Sequence, residues 1–165
     1  MSNLSSRAKT VLRFAPLFAL LCVMTVASAQ TGGESDSVSR SLAREMLRML
    51  QPGFEQLPLR RQNLLCGAFN AELRELAHGF LFFAIGLSAW LAMGARYPQD
   101  GPRRLIAGYL IAMAAAVLDE THQLFTDGRD FQLADLFVDW GGAGLGSMLA
   151  LGFSQLHKRK KPVSG

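Results

Sequence analysis

Apolar residues gather into four blocks separated by polar connections. The first covers residues 11–29, with Arg7, Lys9 and Arg13 before or at its opening. It closes on Val26-Ala27-Ser28-Ala29-Gln30, an A-x-A pattern. A basic start, a short apolar core and a small-residue cleavage site describe a signal peptide. Its nineteen residues also suffice for a transmembrane helix, which needs about 17–25. A retained helix is the expectation. Leu21 is too large to precede a lipoprotein cysteine at Cys22. The second block covers residues 76–95 around Gly79-Phe80-Leu81-Phe82-Phe83-Ala84-Ile85-Gly86. The third is apolar only over residues 105–118, and the fourth has about 15 apolar or small residues after Asp139. Both are short of a span. The third helix must therefore draw in part of residues 119–125, and the fourth must start near Leu133 and carry Asp135 and Asp139.

That shortfall constrains the acids. An aspartate at a helix centre costs about 2.5–3.5 kcal/mol on the insertion scale, against about −0.5 for each Leu or Phe. Asp119, Glu120, Asp135 and Asp139 must then lie near one membrane boundary and face the bundle interior or a wet cavity. Between the first two blocks, Val38, Leu42, Met46 and Leu50 recur every four residues beside a stripe of Arg40, Arg44 and Arg48. Asp36 or Ser37 could cap this helix and Pro52-Gly53 would end it. It either lies on the membrane surface or packs on the bundle. The pattern predicts an all-α protein: an integral membrane bundle of four transmembrane helices (three if the first segment is a cleaved signal) with an outer amphipathic helix. Its parts are an N-terminal transmembrane or signal-anchor segment (1–35), a membrane domain (36–152) and a basic cytoplasmic tail (153–165).

Composition agrees. Half of the 165 residues are hydrophobic and 18% are charged, with mean hydropathy +0.19. Disordered chains, collagen-like repeats and disulfide scaffolds are excluded. The net charge of +4 comes with all four lysines at the ends: Lys9, Lys158, Lys160 and Lys161. That is a cytoplasmic anchor pattern, not a nucleic-acid patch, and His157 belongs to that tail. With the N-terminus inside, inner segments hold nine basic residues in 32 positions and outer segments seven in 59. Both termini are then cytoplasmic and the polar motifs face outward. Cys22 and Cys66 are too few for a zinc site.

Three polar groups converge on the outer boundary. Arg74 and His78 are four apart before the second block; Asp119, His122 and Gln123 share a helix face, followed by Arg129 in the turn from Thr126 to Asp130; Asp135 and Asp139 are four apart. Two arginines could clamp a phosphate. Asp119, His122 and Asp139 are the acid–base candidates, and Arg74, His78, Glu120, Gln123, Arg129 and Asp135 the ligand-binding ones. The spacing matches no metal-ligand motif, and no cofactor is expected. The bland alternative is an ion-pair network, with Arg129 on Asp135 and Arg74 on Asp119. Gly142 and Gly146 form G-x-x-x-G, most often a close helix contact and otherwise a homodimer face. Trp90, Tyr97 and Trp140 would be interface anchors.

The run Asp119-Glu120-Thr121-His122-Gln123-Leu124-Phe125-Thr126-Asp127-Gly128-Arg129 resembles the D-E-x-H-Q-x-F-x-x-G-R signature of the VanZ-like family. Asp135, Asp139, Gly142 and Gly146 continue the resemblance. Residues 70–78, from Asn70 through Arg74 to His78, are similar to its N-x-x-[IL]-R-K-x-x-H element, with Glu75 in place of the basic residue. Gly79 and Leu81-Phe82 depart from the family's Phe and Glu-Tyr. The resemblance implies a multi-pass protein of the bacterial plasma membrane, of a family named for a member that confers teicoplanin resistance. It implies no known reaction. The expected role is binding or modifying a phosphate-bearing lipid or lipid-linked envelope precursor at the outer face. The alternatives are a non-enzymatic envelope protein acting through partners and, more weakly, a small transporter.

Overall fold

The computed structural model describes residues 5–129 and 131–159, without the side chains of Ser6 and Arg159. Lys160 and Lys161 of the expected tail, and Asp130 of the turn, lie outside the described residues. Among the described residues there are five α-helices and no strand: α1 (Ser6–Ser28), α2 (Gly32–Leu50), α3 (Leu59–Met93), α4 (Gly101–Gln123) and α5 (Leu133–Arg159), with a 3₁₀ turn at Phe54–Gln56. Four of them, all but α2, are long and apolar enough to cross a membrane. Large apolar side chains point outward from these helices, among them Phe18, Phe80, Leu118, Phe137 and Phe153. Such a belt suits lipid rather than water.

The helix ends show local chemistry at work. Thr31 and Glu34 form a capping box that starts α2, so the cap is Thr31, not Asp36 or Ser37. The box satisfies two orphan backbone donors reciprocally, and it lies in a polar Gly-Gly stretch where apolar periodicity gives no signal. Gln51 and Pro52 end α2, and Gly53 turns the chain with φ +79°. Asp100 caps α4, its side chain accepting from the Arg103 N–H at 2.9 Å. α5 begins at Leu133, as the apolar shortfall requires.

α3 is longer than expected. Its 35 residues make a rod of about 50 Å, against a hydrocarbon core of about 30 Å. Arg60, Arg61, Gln62 and Asn63 at its start are polar and read as loop. They fold as helix because α2 runs antiparallel alongside them. Arg44 bonds Gln62 and Asn63, and Asn70 donates to Asp36 at 2.9 Å. Leu47, Phe54 and Cys66 form a small core beneath. α2 therefore packs on the bundle through Ala43 and Leu47, while Val38, Leu42 and Leu50 of the expected stripe stay exposed.

Alternation of direction sets the architecture. Arg13 of α1 donates to the Gly94 carbonyl at the end of α3, whereas Ser28 of α1 meets Asp119 of α4. α1 and α4 thus run one way, α3 and α5 the other. Arg104 joins Arg13 on the last carbonyls of α3, donating to the Trp90 carbonyl at 2.6 Å; cations at a helix C-terminus offset its partial negative charge. The Arg104 guanidinium also lies 3.3 Å from the Trp90 ring centroid. Trp90 is buried under it, not an interface anchor. Trp140 is half-buried and meets Phe137 edge-on, and Tyr97 is half-buried beside Arg96.

α3 and α5 touch backbone to backbone. A Cβ on Gly142 would strike the Gly79 carbonyl, one on Gly146 the Phe83 carbonyl, and one on Gly86 the Ala143 carbonyl. The Ser147 hydroxyl donates to the Gly86 carbonyl at 3.0 Å across the same seam. The G-x-x-x-G of α5 is thus a close helix contact within the chain, and α3 covers the face that a second copy would need. Phe82, Ile85, Ala89, Ala112, Ala116 and Ala143 fill the centre.

Candidate functional site

The ends of α1 and α4 and the starts of α2 and α5 meet at one end of the bundle, and hydrogen bonds lock them. Ser28 donates to Asp119 Oδ1 at 2.6 Å, and Gln123 donates to Oδ2 at 3.0 Å. The Gln132 N–H donates to Glu120 Oε2 at 3.0 Å, so Glu120 holds the entry to α5. The Thr126 hydroxyl reaches the Ser28 carbonyl at 3.3 Å, and the Gly32 N–H reaches the Asp127 carbonyl at 3.0 Å. Gly128 has φ +72°, and the Gly128 carbonyl leaves no room for a Cβ on Gly32. Asp119 and Glu120 are both buried. A buried carboxylate is tolerable where donors surround it.

Beside this lock lies a cavity of about 310 Å³ between α1, α2, α3 and the α4–α5 turn. Its lining is mixed: apolar Met24, Val38, Leu42, Leu73 and Leu81 stand with Arg74, His78, Asp119 and Arg129 and with Ser28, Ser35 and Ser39. No hydrogen bond or ion pair among the described residues engages Arg74. Arg129 donates weakly to the Ala27 carbonyl at 3.4 Å, and its Nε is buried without a partner. Burial, then the like charge of Arg74, lowers the pKa of the Arg129 guanidinium from its usual value, against the pull of Asp119, Glu120 and Asp135. It stays a cation at neutral pH. Behind the cavity, His78 Nδ1 stands 3.7 Å from Asp139 Oδ1. Asp139 is fully buried and neither oxygen accepts a hydrogen bond.

A family model, VanZ/LLP1, matches residues 14–154. The chain belongs to the VanZ/LLP1 family. No curated protein and no solved structure matches it. The VanZ/LLP1 match takes in most of α1 and every residue lining the cavity. With four helices long enough to span, the chain is a multi-pass membrane protein of that family.

Within this VanZ/LLP1 chain the expected site residues divide. Arg74, His78, Asp119 and Arg129 share the cavity. Asp135 lines a separate recess of about 130 Å³ with Arg74, Glu75, His78 and Gln132, so Arg74 and His78 stand between the two. Asp139 backs His78, while Glu120 and Gln123 belong to the lock. His122 is exposed and does not line the cavity; the histidine beside the aspartates is His78. Neither the Arg74–Asp119 nor the Arg129–Asp135 ion pair forms among the described residues. No group of three His, Cys, Asp or Glu among them could hold a metal ion.

Sequence reasoning missed Ser28 and the contribution of α2. Ser28 sits in the A-x-A pattern, which reads as a cleavage site rather than a partner for a distant aspartate. Ser35 and Ser39 carry no periodic signal, yet with Val38 and Leu42 they make α2 a wall of the cavity.

Proposed function

We propose that this protein binds a phosphate-bearing lipid, or a lipid-linked envelope precursor, in the cavity at the outer boundary of a bacterial plasma membrane. One observation carries the proposal. Arg74 and Arg129 reach one cavity without a carboxylate ion pair among the described residues, and five apolar side chains line the same cavity. A planar guanidinium suits phosphate oxygens, and apolar lining suits the start of a lipid tail. The sidedness is supported by Arg13, Arg103, Arg104 and Lys158, which lie at the opposite end of the bundle, as cytoplasmic anchors do.

The polar residues then separate by role. Asp119, Glu120 and Gln123 hold the walls together and Arg74 and Arg129 hold the ligand. His78, steadied by Asp139, is the group that could give or take a proton there. The lock itself favours the second reading, a non-enzymatic membrane protein whose polar cluster fixes its helices, because Ser28, Gln123 and Gln132 satisfy the acids directly.

Native mass spectrometry of the detergent-purified protein separates the two. Wild type should carry a phosphate-bearing lipid that Arg129→Ala loses and His122→Ala keeps. A lipid-free wild type whose melting temperature is indifferent to added anionic lipid would leave only the structural reading. An effect on teicoplanin susceptibility follows from the family's namesake alone, and expression of wild type and Arg129→Ala in a susceptible host tests it.

A further inference from the structure

We propose that the cavity selects a terminal phosphate monoester, an end group with three free oxygens, over the phosphodiester of ordinary membrane lipids. This deepens the reading of the cavity as a phosphate site and rests on it.

The argument starts from which charges the cavity presents. Its ionisable lining is Arg74, His78, Arg129 and one carboxylate, Asp119. Asp119 already accepts on both oxygens, from Ser28 and Gln123. Glu120 accepts from the Gln132 N–H, and Asp139 lies behind His78. Glu75 and Asp135 line the other recess and form no ion pair with Arg74 among the described residues. Among the described residues, the two guanidinium groups therefore meet the cavity without a carboxylate ion pair, Arg129 holding only the long bond to the Ala27 carbonyl.

A ligand with one negative charge can neutralise only one of them. A phosphate monoester carries about −1.5 to −2 charges at pH 7 and three strong acceptor oxygens. A diester carries one charge and two free oxygens. Arg129 Nε is buried and unpaired, and an unsatisfied buried donor is costly until an acceptor arrives. His78 supplies a third group: its Nδ1 faces Asp139 and is buried, while Nε2 is not among the buried unpaired atoms. Arg74, Arg129 and His78 thus offer three groups to three oxygens.

Size points the same way. About 310 Å³ is at the lower end of small-molecule sites, which run about 300–1,000 Å³. The space suits a phosphate and the first atoms of a tail, with the rest leaving along Val38 and Leu42, both exposed and both lining the cavity.

The test is competition on wild type, read by native mass spectrometry in phosphatidylcholine nanodiscs. The probes are phosphatidic acid, phosphatidylglycerol of the same chains, and water-soluble glycerol phosphate. Phosphatidic acid should bind about tenfold or more tighter than phosphatidylglycerol, the contribution of one charge-assisted hydrogen bond. Arg129→Ala and Arg74→Ala should each erase that preference, and Arg129→Lys should keep part of it. Equal, arginine-dependent binding of the two lipids overturns the monoester preference and leaves a phosphate-lipid site. Equal, arginine-independent binding overturns both. Glycerol phosphate binding as tightly as phosphatidic acid keeps the monoester and overturns the lipid tail. The lipid comparison uses wild type alone, so a variant that fails to fold does not decide it.

Discussion

The bond between Ser28 and Asp119 is the most exacting test of the lock. It joins the last turn of α1 to the last turn of α4, spans 2.6 Å, and both side chains are buried. Two magnitudes bracket its worth. A hydrogen bond to a charged group contributes about 1.5–3 kcal/mol in water-soluble proteins. Interhelical bonds within membranes average about 0.6 kcal/mol and reach about 1.7, because the unfolded chain in lipid also finds partners. Asp119 lies at the boundary, where water competes in the unfolded state, and Gln123 shares its charge. A coupling of about 1.5 kcal/mol is therefore expected. Ser28→Ala and Asp119→Asn, alone and together, would be compared by reversible unfolding in mixed micelles. Each single change should cost more than the second change adds to the first. A coupling below about 0.5 kcal/mol, the scatter of independent sites, would refute the bond as a link between the helices.

Other expectations follow from the same geometry. His78→Ala leaves Asp139 buried without its one charge partner among the described residues. Breaking a buried pair costs about 3–5 kcal/mol, and a 3.7 Å separation points to the lower end. Adding Asp139→Asn should recover most of the loss in the same unfolding assay, and no recovery would mean that His78 acts by packing alone. Gly146→Val must push α5 off the Phe83 carbonyl, so it should cost about 3 kcal/mol or prevent folding. Gly141→Ala meets open space and should change stability by less than about 1 kcal/mol; a larger loss would show that this face of α5 is covered.

Much of this architecture is legible in the sequence because lipid leaves few options. Two apolar blocks too short to span force Asp119 and Asp139 towards a boundary, and that inference puts α4 and α5 where they are found. The family signature is continuous, so it survives without structure. The first half of α3 is illegible for the opposite reason: Arg60, Arg61, Gln62 and Asn63 look like loop, and only the partnership with α2 makes them helix. Choosing between two histidines near aspartates is likewise a tertiary matter. His122 is three positions after Asp119 but is exposed, whereas His78 is 61 positions before Asp139 and faces it. Charge alone leaves open whether the arginines hold a phosphate or pair with carboxylates. Backbone donors and neutral side chains claim those carboxylates first, and that leaves Arg74 and Arg129 for a ligand.

The fate of α1 is the remaining expectation, and the contacts give it a physical form. Cleavage after Ala29 would remove Ser28 from Asp119 and the Ala27 carbonyl from Arg129. Met24, Ala27 and Ser28 would leave the cavity, opening a wall of the site. At the other end Gly94 would lose the Arg13 donor. Leu17 and Met24, buried against the other helices, would leave an apolar groove on α3 and α4. A buried carboxylate and a half-buried guanidinium stripped of partners in one step are together worse than either alone. The protein purified from membranes should therefore carry α1, and its intact mass should include residues 5–29. A chain beginning at Gln30 that still binds anionic lipid through Arg129 would refute a role for α1 in the site. A chain beginning there that has lost binding would make α1 removal a switch that turns the site off.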